Sequence, residues 1–138
     1  MGLLRSLAVA VLALVGATTL LPNATSAQGA GVYTAAQATA GSALYAANCS
    51  QCHGQSLEGI SGPALAGKAF TDKWNGETAD DLNYIMSTQM PLTAPGSLKP
   101  DEYIELVAYV LQQNKYPAGT TPLTAATLKS VKITSQGS

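Results

Sequence analysis

Cys49-Ser50-Gln51-Cys52-His53 brings together the only two cysteines and the only histidine of this 138-residue chain. A C-x-x-C-H run is the attachment sequence for a c-type haem. The two sulfurs bond to the vinyl groups of the porphyrin, and the adjacent imidazole can bind the iron from one side. One alternative is a buried cysteine pair beside an ordinary histidine. Another is a thioredoxin-like redox motif, which needs a βαβ context that this sequence lacks. The run therefore predicts one covalently bound haem c, attached at Cys49 and Cys52, with His53 as an iron ligand.

The N-terminal segment, residues 1–27, has the order of a secretory signal peptide. One positive charge, Arg5, precedes an uncharged and mostly apolar run at residues 7–21, and small residues follow up to Ala27. This is the n-, h- and c-region order of such peptides. The alternative is an uncleaved membrane anchor, which needs about 20 apolar residues to cross a hydrocarbon core of ~30 Å. We therefore expect cleavage after Ala27, a periplasmic protein, and no stable membrane insertion after cleavage.

The charge of the remaining chain narrows the choice of partners. Without Arg5, six lysines stand against eight carboxylates, which leaves a net charge of −2 before any haem propionate is counted. No basic stripe is present, which argues against a nucleic-acid partner. No basic amphipathic helix suits a membrane surface either. Mild acidity favours a protein partner with a basic docking patch.

Three segments have the periodicity and the end signals of helices. Thr34 and Gln37 form a capping-box pattern that opens an alanine-rich helix. Thr78 is the predicted N-cap of a second helix with two aspartates in its first turn. Pro100 is the predicted first residue of a third helix. Between the first two helices we expect a loop, with a short turn at residues 69–76.

The domain organisation follows from these elements. Residues 28–33 form a short glycine and alanine lead, and residues 34–116 form the helical domain. Residues 117–138 are rich in threonine, serine and alanine, which predicts an extended segment or a mobile tail. No strand pattern or internal repeat is persuasive.

The second axial position of the iron needs a donor other than histidine. Met86 lies in the middle of the second predicted helix, on its apolar stripe, where methionine usually fills the core. Met90 precedes Pro91, which disfavours the helical conformation at Met90 and lets its thioether project towards a haem face. We therefore predict Met90 as the second ligand, with Met86 or an open site as alternatives. A His/Met pair raises the reduction potential of the haem.

Four motifs occur in the order that is typical of class I cytochromes c. They are Cys49-Ser50-Gln51-Cys52-His53-Gly54, Gly62-Pro63-Ala64-Leu65-Ala66-Gly67, Met90-Pro91, and Leu106-Val107-Ala108-Tyr109-Val110-Leu111. The chain resembles this family over residues 34–118. The resemblance implies an all-α cytochrome c fold, in which three main helices and loops wrap around one covalently bound haem.

Within that family, the chain is similar to the single-haem cytochromes that accompany bacterial quinoprotein alcohol dehydrogenases. The similar stretches are Phe70-x3-Trp74, Thr88-Gln89-Met90-Pro91 and Pro95-Gly96-Ser97-Leu98. The resemblance implies that the Pro63 carbonyl accepts the Nδ1–H of the haem histidine, a contact that would set the orientation of the ring. A plain loop proline is the alternative. It also implies that Trp74 lies near a haem propionate, unless it is a core residue, and that Gly41 and Tyr109 mark the crossing of the first and last helices.

The predicted function is an exported electron carrier that cycles between Fe(II) and Fe(III), and not an enzyme. With His53 on iron, no histidine remains for general base catalysis. The expected partners are a dehydrogenase as electron donor and an oxidase or another cytochrome as acceptor. The chain is expected to be a monomer or part of a larger complex. One alternative is a subunit permanently docked on a quinoprotein dehydrogenase or an oxidase. The other is a haem enzyme or gas sensor with an open site.

Overall fold

The computed structural model describes residues 31–136. The predicted signal peptide at residues 1–27, residues 28–30 of the lead and residues 137–138 lie outside the described residues. The helices of the described part are α1 (Ala35–Asn48), α2 (Ser50–His53), α3 (Gly67–Trp74), α4 (Ala79–Gln89) and α5 (Pro100–Gln113), followed by a 3-10 turn at Leu128–Ser130. Three of them, α1, α4 and α5, are the predicted main helices. Within residues 31–136, every helix is too short or too polar to cross a lipid bilayer.

The predicted helix starts are confirmed by the capping contacts. Gln37 N donates to Thr34 Oγ1 over 3.3 Å, and Thr34 N donates back to Gln37 Oε1 over 3.1 Å. Thr78 and Asp81 form the same reciprocal pair at the start of α4, over 3.2 Å and 2.8 Å. Hydrogen bonds from Thr78 hold the pKa of the Asp81 carboxyl below its ordinary value. At the start of both α1 and α4, two of the main-chain donors that a helix leaves without a partner are thus satisfied.

α1 crosses α5 at a glycine. Gly41 is buried, and a Cβ at this position would collide with the main chain of Glu105 and lie 2.9 Å from Cβ of Tyr109. The rings of Tyr45 and Tyr109 pack beside the crossing, with centroids 5.3 Å apart. These contacts confirm the predicted crossing of the first and last helices at Gly41 and Tyr109. Only glycine at position 41 permits the two main chains to come this close.

α5 contributes more buried side chains than any other described helix. Its buried residues are Tyr103, Ile104, Leu106, Val107, Ala108, Val110 and Leu111. The buried side chain of Asn114, at the end of α5, accepts a hydrogen bond from Gly67 N over 3.0 Å and donates to Leu65 O over 2.9 Å. A side-chain amide therefore ties the loop before α3 to the end of α5.

The described structure differs from the sequence predictions at a pair of short strands and at α3. Two-residue strands, β1 (Tyr33–Thr34) and β2 (Ala118–Gly119), pair in parallel. They are too short to show an alternating pattern, so no strand was expected. The short turn expected at residues 69–76 is instead a full helix, α3, which begins at Gly67.

The described part of the predicted tail, residues 117–136, packs against the helices rather than extending away from them. Its buried apolar side chains are Leu123, Leu128, Val131 and Ile133. Their spacing follows neither the helical nor the strand period, which is why the sequence pattern favoured a tail. Packing of the domain thus continues well beyond residue 116.

Candidate haem site

The three residues of the attachment motif that bear chemistry lie on one helical turn. Cys49 ends α1 and also precedes α2, and its carbonyl accepts His53 N over 3.0 Å and Cys52 N over 3.1 Å. Residues three and four apart lie on the same face of a helix. Both thiols are half-buried and neither is in a disulfide. The turn therefore presents two free sulfurs and one imidazole on the same side.

The ring of His53 is held in one orientation. Its side chain is 8% exposed, and Nδ1 lies 2.8 Å from the carbonyl oxygen of Pro63. Because a carbonyl can only accept, Nδ1 carries the proton and Nε2 keeps its lone pair. This is the contact that the resemblance implies for Pro63, and it leaves Nε2 as the metal-binding atom.

The loop after α2 closes tightly around this histidine. The carbonyl of Cys52 accepts hydrogen bonds from the three successive main-chain amides of residues 60–62, over 3.0, 3.1 and 2.9 Å. The carbonyl of His53 accepts one from Gly59 N over 2.7 Å. A Cβ at Gly62 would lie 2.8 Å from His53 Cε1, which is closer than real side chains approach. Gly62 was not among the predicted site residues, yet its missing side chain is what makes room for the imidazole.

Burial raises the pKa of the Cys49 thiol to about 11. In a redox-active C-x-x-C pair, by contrast, the attacking thiol has a lowered pKa, because the thiolate is the reactive form. The environment of Cys49 therefore disfavours the thioredoxin-like alternative.

Met90 is placed by the end of α4 and by a tyrosine of α5. It is the C-cap of α4, with φ −125° and ψ 153°, so the extended conformation predicted from Pro91 is confirmed. Its side chain is half-buried, and its carbonyl accepts a hydrogen bond from the Tyr103 hydroxyl over 2.8 Å. The other candidate, Met86, is 7% exposed and lies in the hydrophobic core. In the sequence, Tyr103 stands out only as a member of an apolar stripe, so its contact with Met90 had no local signal.

Trp74 is a core residue of α3. It is 7% exposed, and its ring lies 6.2 Å from that of Phe70 between centroids. Lys73 Nζ lies 5.5 Å above the same ring. Within residues 31–136, no hydrogen bond joins Trp74 or Met90 to the loop around His53. The predicted place of Trp74 near a haem propionate stays a prediction.

These residues fit a covalently attached haem. In the described part of the chain, no group of three or more His, Cys, Asp or Glu side chains could hold a metal ion by itself. An iron bound by His53 would thus take its remaining ligands from a porphyrin and from a donor such as the Met90 thioether. Among residues 31–136, Asn83 Oδ1 is the one buried side-chain polar atom without a hydrogen-bond partner, and it lies on α4, the helix that ends at Met90.

Gly62→Ala and Pro63→Ala will have unequal effects on the haem histidine. The added methyl of Gly62→Ala would displace the imidazole, because it would lie 2.8 Å from His53 Cε1. We expect reduced haem incorporation and a shifted Soret band. Pro63→Ala keeps the main-chain acceptor of Nδ1, so it should lower the free energy of unfolding by no more than about 1 kcal/mol and leave the spectrum unchanged. Absorption spectra and denaturant unfolding of both variants provide the measurement. Equal effects would contradict this geometry.

Comparison with known proteins agrees with the architecture. Residues 36–110 match the family model described as cytochrome C oxidase, cbb3-type, subunit III. The crystal structure of the sulfane dehydrogenase SoxCD from Paracoccus pantotrophus is similar at 26% sequence identity, with a TM-score of 0.61 over 70% of this chain. The chain spans about half, 52%, of the length of that SoxCD chain. No curated protein matches.

The match to the family model runs from the first turn of α1 to near the end of α5 and includes the C-x-x-C-H turn and Met90-Pro91. Members of such a family bind haem c covalently and transfer electrons. The chain belongs to the family of cytochrome c oxidase, cbb3-type, subunit III, and is an electron-transferring c-type cytochrome with the cytochrome c fold and a covalent haem c.

Proposed function

We propose that this cytochrome is an exported carrier of single electrons, in which Cys49 and Cys52 hold the haem and His53 and Met90 bind its iron. The observation that carries the assignment of His53 is the 2.8 Å contact between its Nδ1 and the Pro63 carbonyl, which leaves Nε2 free for the metal. The haem supplies the one-electron Fe(II)/Fe(III) couple. It works in the periplasm after removal of residues 1–27.

The chain's own contribution is to hold two ligands in fixed positions. The loop at residues 59–63 and the Pro63 carbonyl fix the imidazole, and the Tyr103 hydroxyl fixes the main chain of Met90. Both ligands are thus held by hydrogen bonds that do not depend on the charge of the iron. Such preorganisation keeps structural change small when an electron is gained or lost.

The proposed electron donor is a dehydrogenase. The likeness to the SoxCD structure supports this, because that protein is itself a dehydrogenase. The finer proposal, a quinoprotein alcohol dehydrogenase, rests on the Thr88-Gln89-Met90-Pro91 and Pro95-Gly96-Ser97-Leu98 motifs. Ile60 and Leu92 are each 72% exposed, and each lies close in the chain to a proposed iron ligand. Exposed large apolar side chains often mark contact surfaces, which supports docking of a partner next to the haem.

The spectrum of the purified protein tests this function. Expressed with a haem-ligation system, the oxidised protein should be low-spin and show the weak far-red band that is typical of methionine bound to Fe(III). The reduced protein should bind carbon monoxide slowly or not at all, because both axial positions are filled. A high-spin spectrum with rapid carbon monoxide binding would instead favour the haem enzyme or gas sensor.

Co-purification separates the two forms of the carrier. A subunit that is permanently docked should elute with a dehydrogenase from the native periplasmic fraction, whereas a free carrier should elute at its own mass. Both forms share the same haem ligands, so this result does not affect the spectral test.

A further inference from the structure

The chain continues beyond the part that matches the family model, and the continuation reaches back to the helix that carries Met90. The match ends at residue 110, whereas the described structure extends to residue 136. We call residues 117–136 the C-terminal strap. Leu123, Leu128 and Ile133 of the strap are 1–2% exposed, so it is part of the core rather than an appendage.

Residues 131–133 of the strap make main-chain contacts at the start of α4 and just before it. Gly76 N donates to Ile133 O and Ile133 N donates to Glu77 O, both over 2.8 Å. Ala79 N donates to Val131 O over 2.9 Å. Ala79 is the first residue of α4, and its N–H is one of the donors that a helix cannot satisfy internally. The partial negative charge of the Val131 carbonyl also suits the positive end of the helix dipole. The strap therefore completes the cap of α4.

The strap is itself tied to the rest of the core by two side chains. The amide of Gln37, on α1, accepts Leu123 N over 2.9 Å and donates to Leu123 O over 2.7 Å. The hydroxyl of Tyr116 accepts Thr134 N over 2.7 Å and donates to Thr134 O over 3.0 Å. Tyr116 is only 8% exposed, so this anchor belongs to the core. The strap thus links the start of α4 to α1 and to the segment that follows α5.

The opposite end of α4 carries the proposed iron ligand. α4 has 11 residues, so it is about 16 Å long at 1.5 Å per residue. Met90 caps its C-terminal end, where the Tyr103 hydroxyl of α5 holds the Met90 carbonyl. The strap holds the start of α4, and the Tyr103 hydroxyl holds the Met90 carbonyl at its end. Release of the start would let α4 rotate about the Tyr103 contact. Such a rotation would turn the Met90 side chain even though the Met90 carbonyl kept its place.

We propose that residues 131–134 of the strap position Met90 on the iron by holding the start of α4, an inference that rests on the proposed role of Met90 as axial ligand. These are positioning residues, since they act on the metal only through the helix.

The test uses the mature holoprotein and two variants. One variant ends after Ser130 and loses the main-chain bonds to residues 76–79. The other, Tyr116→Phe, loses only the hydroxyl that holds Thr134. Both are scored by the far-red methionine band of the oxidised protein and by the rate at which cyanide replaces methionine, at a temperature well below unfolding. The matched controls are a chain that ends after Gln136 and Tyr84→Phe, which changes a tyrosine that is 64% exposed.

The chain that ends after Ser130 should bind cyanide at least roughly tenfold faster than the unaltered protein, because the loss of even one net hydrogen bond can shift a local opening equilibrium by about that factor. Tyr116→Phe should change the rate in the same direction by a smaller factor. Both controls should bind cyanide at the original rate, and covalent haem content should be equal in all five proteins.

Two outcomes are kept apart by this design. Variants that melt at a lower temperature but retain the original band and cyanide rate would overturn the inference, because the strap would then only add stability. Absence of the band in the unaltered protein would instead overturn Met90 as a ligand. If the shorter chain does not mature, the cyanide rate of Tyr116→Phe decides the matter alone.

Discussion

Cys49→Ala/Cys52→Ala will leave the protein without any covalently attached haem. The chain has no other cysteine, so no thioether can form at a different position. The measurement is haem staining after a denaturing gel, together with the intact mass of the purified protein, and the expected loss of covalent haem is complete. Either single substitution keeps one attachment thiol, so it should retain part of the covalent haem.

The same double variant should also fold poorly. Small domains are marginal unless a cofactor or a cross-link adds to their core. Gln51→Ala is the matched control, since it changes an exposed residue between the two cysteines and should retain both haem and fold. A haem-stained band from the double variant after denaturation would contradict the attachment.

Met90→Leu will open one side of the iron and lower the reduction potential. Leucine has nearly the volume of methionine, so the change removes the proposed thioether ligand with little loss of packing. We expect the far-red band to disappear, cyanide and carbon monoxide to bind readily, and the potential to fall by on the order of 0.2 V, within the ~0.8 V range over which axial ligands set haem potentials.

Met86→Leu is the matched control for this ligand assignment. Met86 is a buried core residue on the same helix, and leucine should replace it at a cost below about 1.5 kcal/mol, with the band and the potential unchanged. If Met86→Leu removed the far-red band and Met90→Leu preserved it, Met86 rather than Met90 would be the iron ligand.

Several helix starts were predictable because their chemistry is local. Thr34 with Gln37 and Thr78 with Asp81 are each three residues apart, and the capping contacts depend on little beyond that spacing. The extended conformation of Met90 follows from the ring of Pro91, which is its immediate neighbour. The C-x-x-C-H turn has the same character, since one turn of helix brings its three functional side chains to one face.

The supports of the site were not predictable in this way. The Tyr103 hydroxyl meets the Met90 carbonyl across 13 residues of sequence, and any aromatic residue on the apolar stripe of α5 would have produced the same pattern. Gly62 shows its role only when the imidazole of His53 is placed against it. A glycine in a loop is otherwise a common turn residue.

The C-terminal strap illustrates the same limit over a longer distance. Its buried residues have irregular spacing, so hydrophobic periodicity indicated a tail. Its hydrogen bonds join Ile133 to Gly76 and Glu77, more than fifty residues earlier in the chain. These bonds use main-chain N–H and C=O groups, which every residue except proline carries in full. The residue types along the strap therefore do not predict them.

Haem attachment, the helix starts and the place of Met90 could be read from the order of residues, because each depends on side chains within about one helical turn of one another. The grip of the loop on His53, the contact between α5 and Met90 and the return of the strap to α4 arise only once distant elements are packed. Their hydrogen bonds depend on the positions of whole helices, and those positions are set by the burial of apolar side chains along the entire described chain.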